Sequence, residues 1–186
     1  NSVIQLFNGI DALRQHVTPD VRMHGIITNG GVAANIVPEH ATAQFYIRAA
    51  TKEYLQVVKQ KVLAIAEGAA LMTGATLEVS NYELAYDDLK TNRALSEAFN
   101  ENIRSLGITD IHPHKDGVGS VDIGNISNVC PTIHPYIGIS DCEITGHSQQ
   151  MVDATVTDLA HDRLVIAVVA LAYTGYDVLS NEIKLK

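Results

Sequence analysis

The stretch Gly30-Gly31-Val32-Ala33-Ala34-Asn35-Ile36-Val37-Pro38-Glu39 lies between two strand-like runs, and the second run ends at Arg48. A glycine pair is typical of positive backbone φ or of close backbone approach. The amide of Asn35 and the guanidinium of Arg48 offer hydrogen-bond donors to a small anion or a carbonyl group. The spacing alone equally fits an ordinary hairpin with a surface arginine, because short motifs have low specificity.

The composition is that of a folded protein of one or two domains. The chain has 186 residues, of which 46% are hydrophobic and 18% charged, which predicts a compact core. Thirteen basic and twenty-one acidic side chains give a net charge of -8. This charge argues against a nucleic-acid or anionic-membrane partner. The longest apolar run, residues 164–173, is about half of the roughly 20 residues that a bilayer span requires.

The cysteine content favours a reducing compartment. Cys130 and Cys142 are the only cysteines, and two thiols in a chain of this size are more often free or buried than part of a disulfide framework. We therefore expect a cytoplasmic location.

Hydrophobic spacing in the first part of the chain predicts an α-β-β-α-β order. The elements are a helix at 3–16, strands at 21–28 and 41–49, a helix at 52–72 ended by Gly74, and a strand at 75–82. A ferredoxin-like layer requires the order βαββαβ. One strand is missing from this pattern, and we expect it to precede Asn1.

A polar segment follows, and we place a domain boundary near residue 85, between domains 1–84 and 85–186. The second part predicts a helix at 92–106, a short strand at 108–112, a loop of small residues at 117–120 that leads into 121–127, an apolar strand at 129–139 and a last helix at 155–179. Because that last helix is apolar on most faces, we expect it to pack beneath a sheet.

His147 has the most suggestive setting among the eight histidines. It follows Gly146 in a loop before the last helix, which is a common position for a zinc or manganese ligand. A lone histidine is nevertheless more often a hydrogen-bonded surface or core group. His134 is expected to be a strand-end residue whose ring is satisfied by a neighbour, and His112 to lie with His114 in a solvated loop.

A second candidate site is Gly119-Ser120-Val121-Asp122. Its backbone N–H groups could stabilise an oxyanion. Alternatively, Ser120 caps a helix and Asp122 interacts favourably with the helix dipole. The sequence contains no GxSxG elbow, P-loop, CxxC pair or GxGxxG after a strand. We therefore name no catalytic residue in this chain.

Together, these motifs resemble the M20 metallopeptidase and amidohydrolase family, and most of all its aminoacylase-like branch, which includes aminobenzoyl-glutamate hydrolases and M20 domain-containing dipeptidases. Residues 22–31, residues 34–39 and Arg48 resemble the lid domain of that family. Residues 119–127, Ile133-His134-Pro135 and His147-Ser148 resemble the segment that returns to its catalytic domain.

The resemblance implies an α/β fold with an α+β lid. Domain 1–84 would be a ferredoxin-like lid and dimerisation domain without its first strand, and domain 85–186 the C-terminal part of an α/β zinc-peptidase-like catalytic domain. Asn35 and Arg48 would bind the substrate's carbonyl and terminal carboxylate, often across a dimer. His147 would be the last metal ligand, and Gly119 and Ser120 would line the substrate pocket.

The implied activity is hydrolysis of the amide bond of N-acyl or aminoacyl amino acids or dipeptides. It would use a divalent metal, zinc or manganese, with two ions in a complete active site. The other ligands and the glutamate base would come from an N-terminal half expected before Asn1, so we expect the chain alone to be inactive and the protein to form a homo-oligomer through its lid.

Two other hypotheses remain. The chain is a non-catalytic module that dimerises through an exposed sheet edge, or it is a ferredoxin-like regulatory domain, which leaves residues 85–186 unexplained.

Overall fold

A computed structural model describes residues 1–113 and 119–180. The chain divides after Asp88 into two compact units, a few residues beyond the boundary predicted near residue 85. Within the described ranges, no helix is both long and apolar enough to cross a membrane.

The first unit contains the predicted helices and hairpin. Its elements are α1 (Ser2–Leu13), a 3-10 turn (Arg14–His16), β1 (Arg22–Asn29), β2 (Thr42–Arg48) and α2 (Lys52–Thr73). Helix α2 begins where the Thr51 side chain accepts a hydrogen bond from the Tyr54 N–H at 3.2 Å. It ends at Gly74, whose φ of 70° is left-handed, as is typical of helix C-caps. The predicted helix and its glycine stop are thus confirmed.

Strands β1 and β2 form an antiparallel two-stranded sheet in which Met23 pairs with Ile47 and Ile27 with Ala43. Along β2, the side chains alternate between exposed and half-buried, so one face of the hairpin is covered. Helices α1 and α2 cover it, and the Phe7 and Phe45 rings lie 4.8 Å apart between their centroids. The buried core of this unit consists of Ile10, Leu13, Val21, Met23, Val58 and Val62.

Gly25 lies directly opposite Phe45 in the ladder. A Cβ atom at Gly25 would lie 2.7 Å from Cζ of the Phe45 ring and closer still to other ring atoms. The ring therefore occupies the space above the glycine, an arrangement in which an aromatic side chain covers a strand glycine and pins the register.

The strand predicted at 75–82 is wrong, because the structure has no strand there. Val79 is 60% exposed, and the described part of the unit offers no third strand with which this segment could form a ladder. Its end nevertheless contacts the hairpin, since the Tyr82 ring lies edge-on to Tyr46 at 5.5 Å. A hydrogen bond to Glu83 raises the pKa of the Tyr46 phenol.

The second unit is helical in the residues that the structure describes. Its elements are α3 (Arg93–Ser105), α4 (Ile123–Ser127), α5 (Gln149–Ala154) and α6 (Asp158–Leu179). The side chains of Asn92, Ser148 and Thr157 accept hydrogen bonds at the first turns of α3, α5 and α6. Helix α6 begins three residues after the predicted start, because Thr157 caps it.

Helix α6 packs against α3. Phe99, Ile103 and Ala170 form the buried cluster between them, and Asn102 Nδ2 donates to Asp177 Oδ2 at 2.8 Å. The opposite side of α6 is apolar but exposed, and Leu164 is 60% accessible.

The described residues of the second unit do not form the sheet that was predicted above α6. The strand predictions at 108–112 and 129–139 are wrong, because the described residues form no strand there. Only an isolated parallel bridge links Thr91 to Thr132. Strand composition is present in both segments, but a strand also requires a partner for its backbone N–H and C=O groups.

Replacement of Gly25 by alanine should test the packing of the hairpin. The added Cβ must displace the Phe45 ring, so we expect Gly25→Ala to lower the free energy of unfolding by about 1–3 kcal/mol. Denaturant titration followed by far-UV circular dichroism measures the change. Gly68→Ala in α2 is the matched control, because nothing lies within 4 Å of the position that its methyl group would take, and it should stabilise the helix by about 0.5–1 kcal/mol. Equal effects would contradict the proposed role of the ring.

Candidate functional site

Local contacts with Asn29 and Pro38 shape the start of the hairpin loop at residues 30–41. Asn29 Oδ1 accepts a hydrogen bond from the Gly31 N–H at 3.0 Å, and Gly31 has a φ of 118°. A Cβ at Gly31 would lie 2.6 Å from Pro38 Cγ. Positive φ and close approach therefore coincide at Gly31, as the glycine pair predicted.

Asn35 and Arg48 are located at opposite ends of the ladder. Asn35 is exposed in the loop, beyond the end at which Asn29 pairs with Thr42, whereas Arg48 pairs with Arg22 at the other end. Thr42 and Arg48 are six residues apart, which corresponds to about 20 Å along a strand. Asn35 therefore belongs to the loop at one end of the ladder, and Arg48 is in the pair at its other end.

The outer face of the hairpin carries two adjacent polar pairs. Arg22 is opposite Arg48 and His24 is opposite Tyr46, and all four side chains are exposed. Arg22 Nη1 donates to Pro19 O at 2.5 Å and to Val21 O at 2.9 Å. Arg48 has no hydrogen bond or ion pair to any described residue. The sequence analysis did not single out Arg22, because only the register places it beside Arg48.

Gly119 and Ser120 are exposed and precede the short helix α4. Gly119 has a φ of 70°. The prediction that Ser120 caps a helix is wrong, because the N-cap of α4 is Asp122, and its side chain makes no capping hydrogen bond. Gly117 and Val118, the first part of the predicted loop, lie outside the described residues.

His147 is exposed and has a left-handed backbone with a φ of 56°. It is the one non-glycine residue with positive φ in the described ranges. The Ser148 hydroxyl next to it donates to Thr145 O at 2.7 Å and accepts from the Met151 N–H at 3.2 Å. His147 thus immediately precedes the capping residue of α5, and its side chain is exposed.

The described side chains do not by themselves form a metal site. Within residues 1–113 and 119–180, no group of three or more His, Cys, Asp or Glu residues could hold an ion. A catalytic zinc site needs about three protein ligands, and His147 supplies one.

The second unit contains a cavity of about 750 Å³ that the sequence analysis missed. Its lining includes Phe99, Ile103, Ile111, Ile133, His134 and Ile137. The prediction that a neighbour satisfies the His134 ring is wrong for one atom, because Nδ1 is buried and no residue of the described ranges forms a hydrogen bond with it. His112, on the cavity wall, is 77% exposed and lies 3.3 Å from Asp110, in agreement with a solvated loop; His114 lies outside the described residues.

Comparison with known proteins assigns the first unit to a family. The sequence profile of the peptidase dimerisation domain of M20 enzymes matches residues 1–72. Residues 1–72 are an M20 dimerisation domain. The match covers α1, the hairpin and most of α2, and it agrees with the mixed helix and sheet fold of this unit.

The similarity to M20 enzymes extends over nearly the whole chain. The chain is 34% identical over 184 residues to the Xaa-Arg dipeptidase of Mus musculus and 35% identical over 182 residues to that of Homo sapiens. Each alignment covers 96% of this chain and 42% of the relative. A p-aminobenzoyl-glutamate hydrolase polypeptide of Escherichia coli (strain K12) is 33% identical over 108 residues, 58% of this chain and 22% of its own length.

These relatives confirm the resemblance to the M20 family. The chain spans less than half the length of the dipeptidases that it matches.

The left-handed backbone of His147 predicts a cost in stability that can be measured. Left-handed φ costs a residue with a Cβ roughly 1–2 kcal/mol, and glycine avoids most of that cost. We expect His147→Gly to raise the free energy of unfolding by about 1 kcal/mol, measured by denaturant titration. His147→Ala, the matched control, retains the Cβ and should bring no gain. If both variants raised the free energy of unfolding equally, the strain would come from the imidazole and not from the backbone.

Proposed function

We propose that this chain is part of a metal-dependent amidohydrolase that cleaves the amide bond of N-acyl or aminoacyl amino acids or dipeptides. The observation that carries this proposal is the similarity over 96% of the chain to proteins named Xaa-Arg dipeptidase. The M20 dimerisation domain at residues 1–72 is consistent with it.

Arg48 is the proposed ligand for the terminal carboxylate of the substrate. Its guanidinium is exposed and has no described partner, so it is available to a bound anion. Arginine and a carboxylate can form two parallel charge-assisted hydrogen bonds, which supply orientation as well as affinity.

Asn35 is the proposed ligand for the substrate carbonyl, and the protein is proposed to form a homo-oligomer. Asn35 lies in the loop beyond one end of the ladder and Arg48 in the pair at its other end, which favours a site that receives the two residues from two copies of the chain. Symmetric dimers are the commonest homo-oligomers. Gly119 and Ser120 are proposed to line the same pocket.

His147 is proposed to be one ligand of zinc or manganese, with two ions in the complete site. The remaining ligands would come from another part of the polypeptide, which we propose precedes Asn1. The described residues do not complete such a site, and no chemical step can be assigned to them. Intact-mass measurement and N-terminal sequencing of the source protein test this: a mass equal to that of these 186 residues would contradict it.

Arg48→Ala in the intact hydrolase should test recognition of the carboxylate. We expect kcat/KM for substrates with a free terminal carboxylate to fall by roughly 10- to 100-fold, the effect of losing a charge-assisted pair. The matching substrate esters or amides, which have no such charge, should lose far less. Equal losses for both substrate classes would refute the assignment.

A non-catalytic dimerisation module is the second candidate, favoured by the dimerisation domain and by the free edge of β2, which pairs only with β1 in the described chain. Metal analysis separates the two candidates. If the hydrolase proposal is correct, the intact protein should contain zinc or manganese, and His147→Ala should lower the occupancy because one ligand is lost. A metal-free protein that remains a dimer would favour the module.

A further inference from the structure

The chain contains two Asn-Gly pairs, Asn8-Gly9 and Asn29-Gly30, and the fold places them in opposite settings. After an asparagine, the backbone nitrogen of the next residue can attack the side-chain amide. Glycine favours this attack, because it has no Cβ to shield the nitrogen. Since the two pairs share this chemistry, the structure around each pair decides whether it reacts.

The pair at Asn29 is open to the reaction. Asn29 is the last residue of β1, Gly30 follows it in the hairpin loop, and both residues are exposed. The Gly30 N–H forms no hydrogen bond to a described residue. The ladder is also irregular here, because its register shifts between Ile27 and Asn29. The backbone nitrogen of Gly30 is therefore accessible and is not held by an uninterrupted ladder.

A hydrogen bond to the Asn29 side chain favours the same reaction. Asn29 Oδ1 accepts from the Gly31 N–H at 3.0 Å. When a nitrogen bonds to Cγ, the C=O electrons move onto Oδ1, and a donor at that oxygen stabilises the charge that develops. The hydrogen bond also keeps the side-chain carbonyl close to the loop backbone that contains the Gly30 nitrogen.

The pair at Asn8 is closed to the reaction. Asn8 and Gly9 lie within α1, where each backbone N–H donates to the carbonyl four residues earlier. A Cβ at Gly9 would collide with the Ile65 side chain, so α2 packs directly against this turn of α1. The Gly9 nitrogen can attack only after the helix opens locally, and such opening costs free energy.

We propose that Asn29 is a site of spontaneous deamidation, with water as the only co-reactant. The Gly30 nitrogen bonds to Asn29 Cγ, the bond between Cγ and Nδ2 breaks, and ammonia leaves with the proton of the Gly30 nitrogen. The product is a cyclic succinimide, which water opens at either of its carbonyl groups. Breaking the bond from Cγ to the Gly30 nitrogen gives aspartate, and breaking the bond from the main-chain carbonyl carbon gives isoaspartate.

The two products differ in their effect on the hairpin. An aspartate at position 29 retains an acceptor for the Gly31 N–H, and its charge strengthens that hydrogen bond. Isoaspartate adds one methylene to the main chain next to the pairing of Asn29 with Thr42, which displaces the loop relative to the ladder. Asn35 lies in that loop. An effect on substrate binding by Asn35 rests on the function proposed above, whereas the deamidation itself does not.

Incubation of the folded chain at neutral pH, followed by brief tryptic digestion and mass spectrometry, tests the site without any activity. Asn8 and Asn29 fall in the tryptic peptides that end at Arg14 and Arg48. A deamidated peptide is heavier because a hydroxyl replaces an amino group, and electron-based fragmentation distinguishes aspartate from isoaspartate. Asn29 should react at least about tenfold faster than Asn8, because the cost of opening α1 slows only Asn8. In denaturant, the two sites should react at similar rates.

Gly30→Ala is the matched variant. A Cβ at this position would meet only Ile27 Cγ2, at 3.7 Å, which is an ordinary contact, so the hairpin should keep its structure. Because the added Cβ shields the attacking nitrogen, deamidation of Asn29 should slow severalfold. An equal rate in wild type and Gly30→Ala would overturn the proposal.

Asn35 provides a control within the same tryptic peptide. It is exposed like Asn29, but the β-branched Ile36 follows it and shields the backbone nitrogen. Asn35 should therefore stay intact while Asn29 reacts. If Asn29 in the folded chain reacts no faster than Asn35 or Asn8, the proposed site is refuted.

The effect on the loop has its own readout in the intact hydrolase, in which each protein is compared with itself before incubation. Wild type should lose kcat/KM in proportion to its isoaspartate content, and Gly30→Ala should keep its initial value over the same period. If Asn29 deamidates while kcat/KM stays constant, the modification site stands and its effect on the loop fails. If the protein hydrolyses no amide before incubation, the function proposed above fails separately.

Discussion

The pairing of Gly25 with Phe45 is the constraint on which the hairpin depends. A slip of one residue would move every side chain of a strand to the opposite face, and it would also drive a Cβ-bearing neighbour into the phenylalanine ring. The same register buries Met23 and sets Arg22 beside Arg48. A packing requirement on the inner face thus determines the electrostatics of the outer face, where ligand recognition is proposed.

Local signals made most of the first unit predictable. Period-3.6 spacing gave α1 and α2, alternation gave the two strands, and Gly74 marked the end of α2, because each signal acts within a few residues. Strand composition at 75–82, 108–112 and 129–139 was misleading for the opposite reason. Valine and isoleucine favour extended backbone, but a ladder also needs a distant partner, which no local pattern supplies.

The candidate site was predictable as a set of residue types and not as a geometry. Asn35 and Arg48 could be named from the sequence. Their positions at opposite ends of the ladder, and the pairing of Arg22 with Arg48, followed only from the register. Gly146 suggested a turn at His147, but not that His147 itself takes the left-handed conformation. The burial of His134 Nδ1 away from any hydrogen-bond partner in the described ranges also depended on tertiary packing that its neighbours in sequence do not encode.

The exposed apolar face of helix α6 affects how the chain behaves in a cell. It buries Ala170 against α3 while Leu164, Val168 and Leu171 are 60%, 57% and 48% exposed. Apolar side chains clustered on a surface promote association and aggregation unless something covers them. Chaperones and proteases continually act on molecules that are incompletely folded, and such molecules also expose apolar surface. Cellular quality control would therefore recognise a chain in which this face of α6 is exposed. The lifetime of the chain would depend on how soon that face is covered.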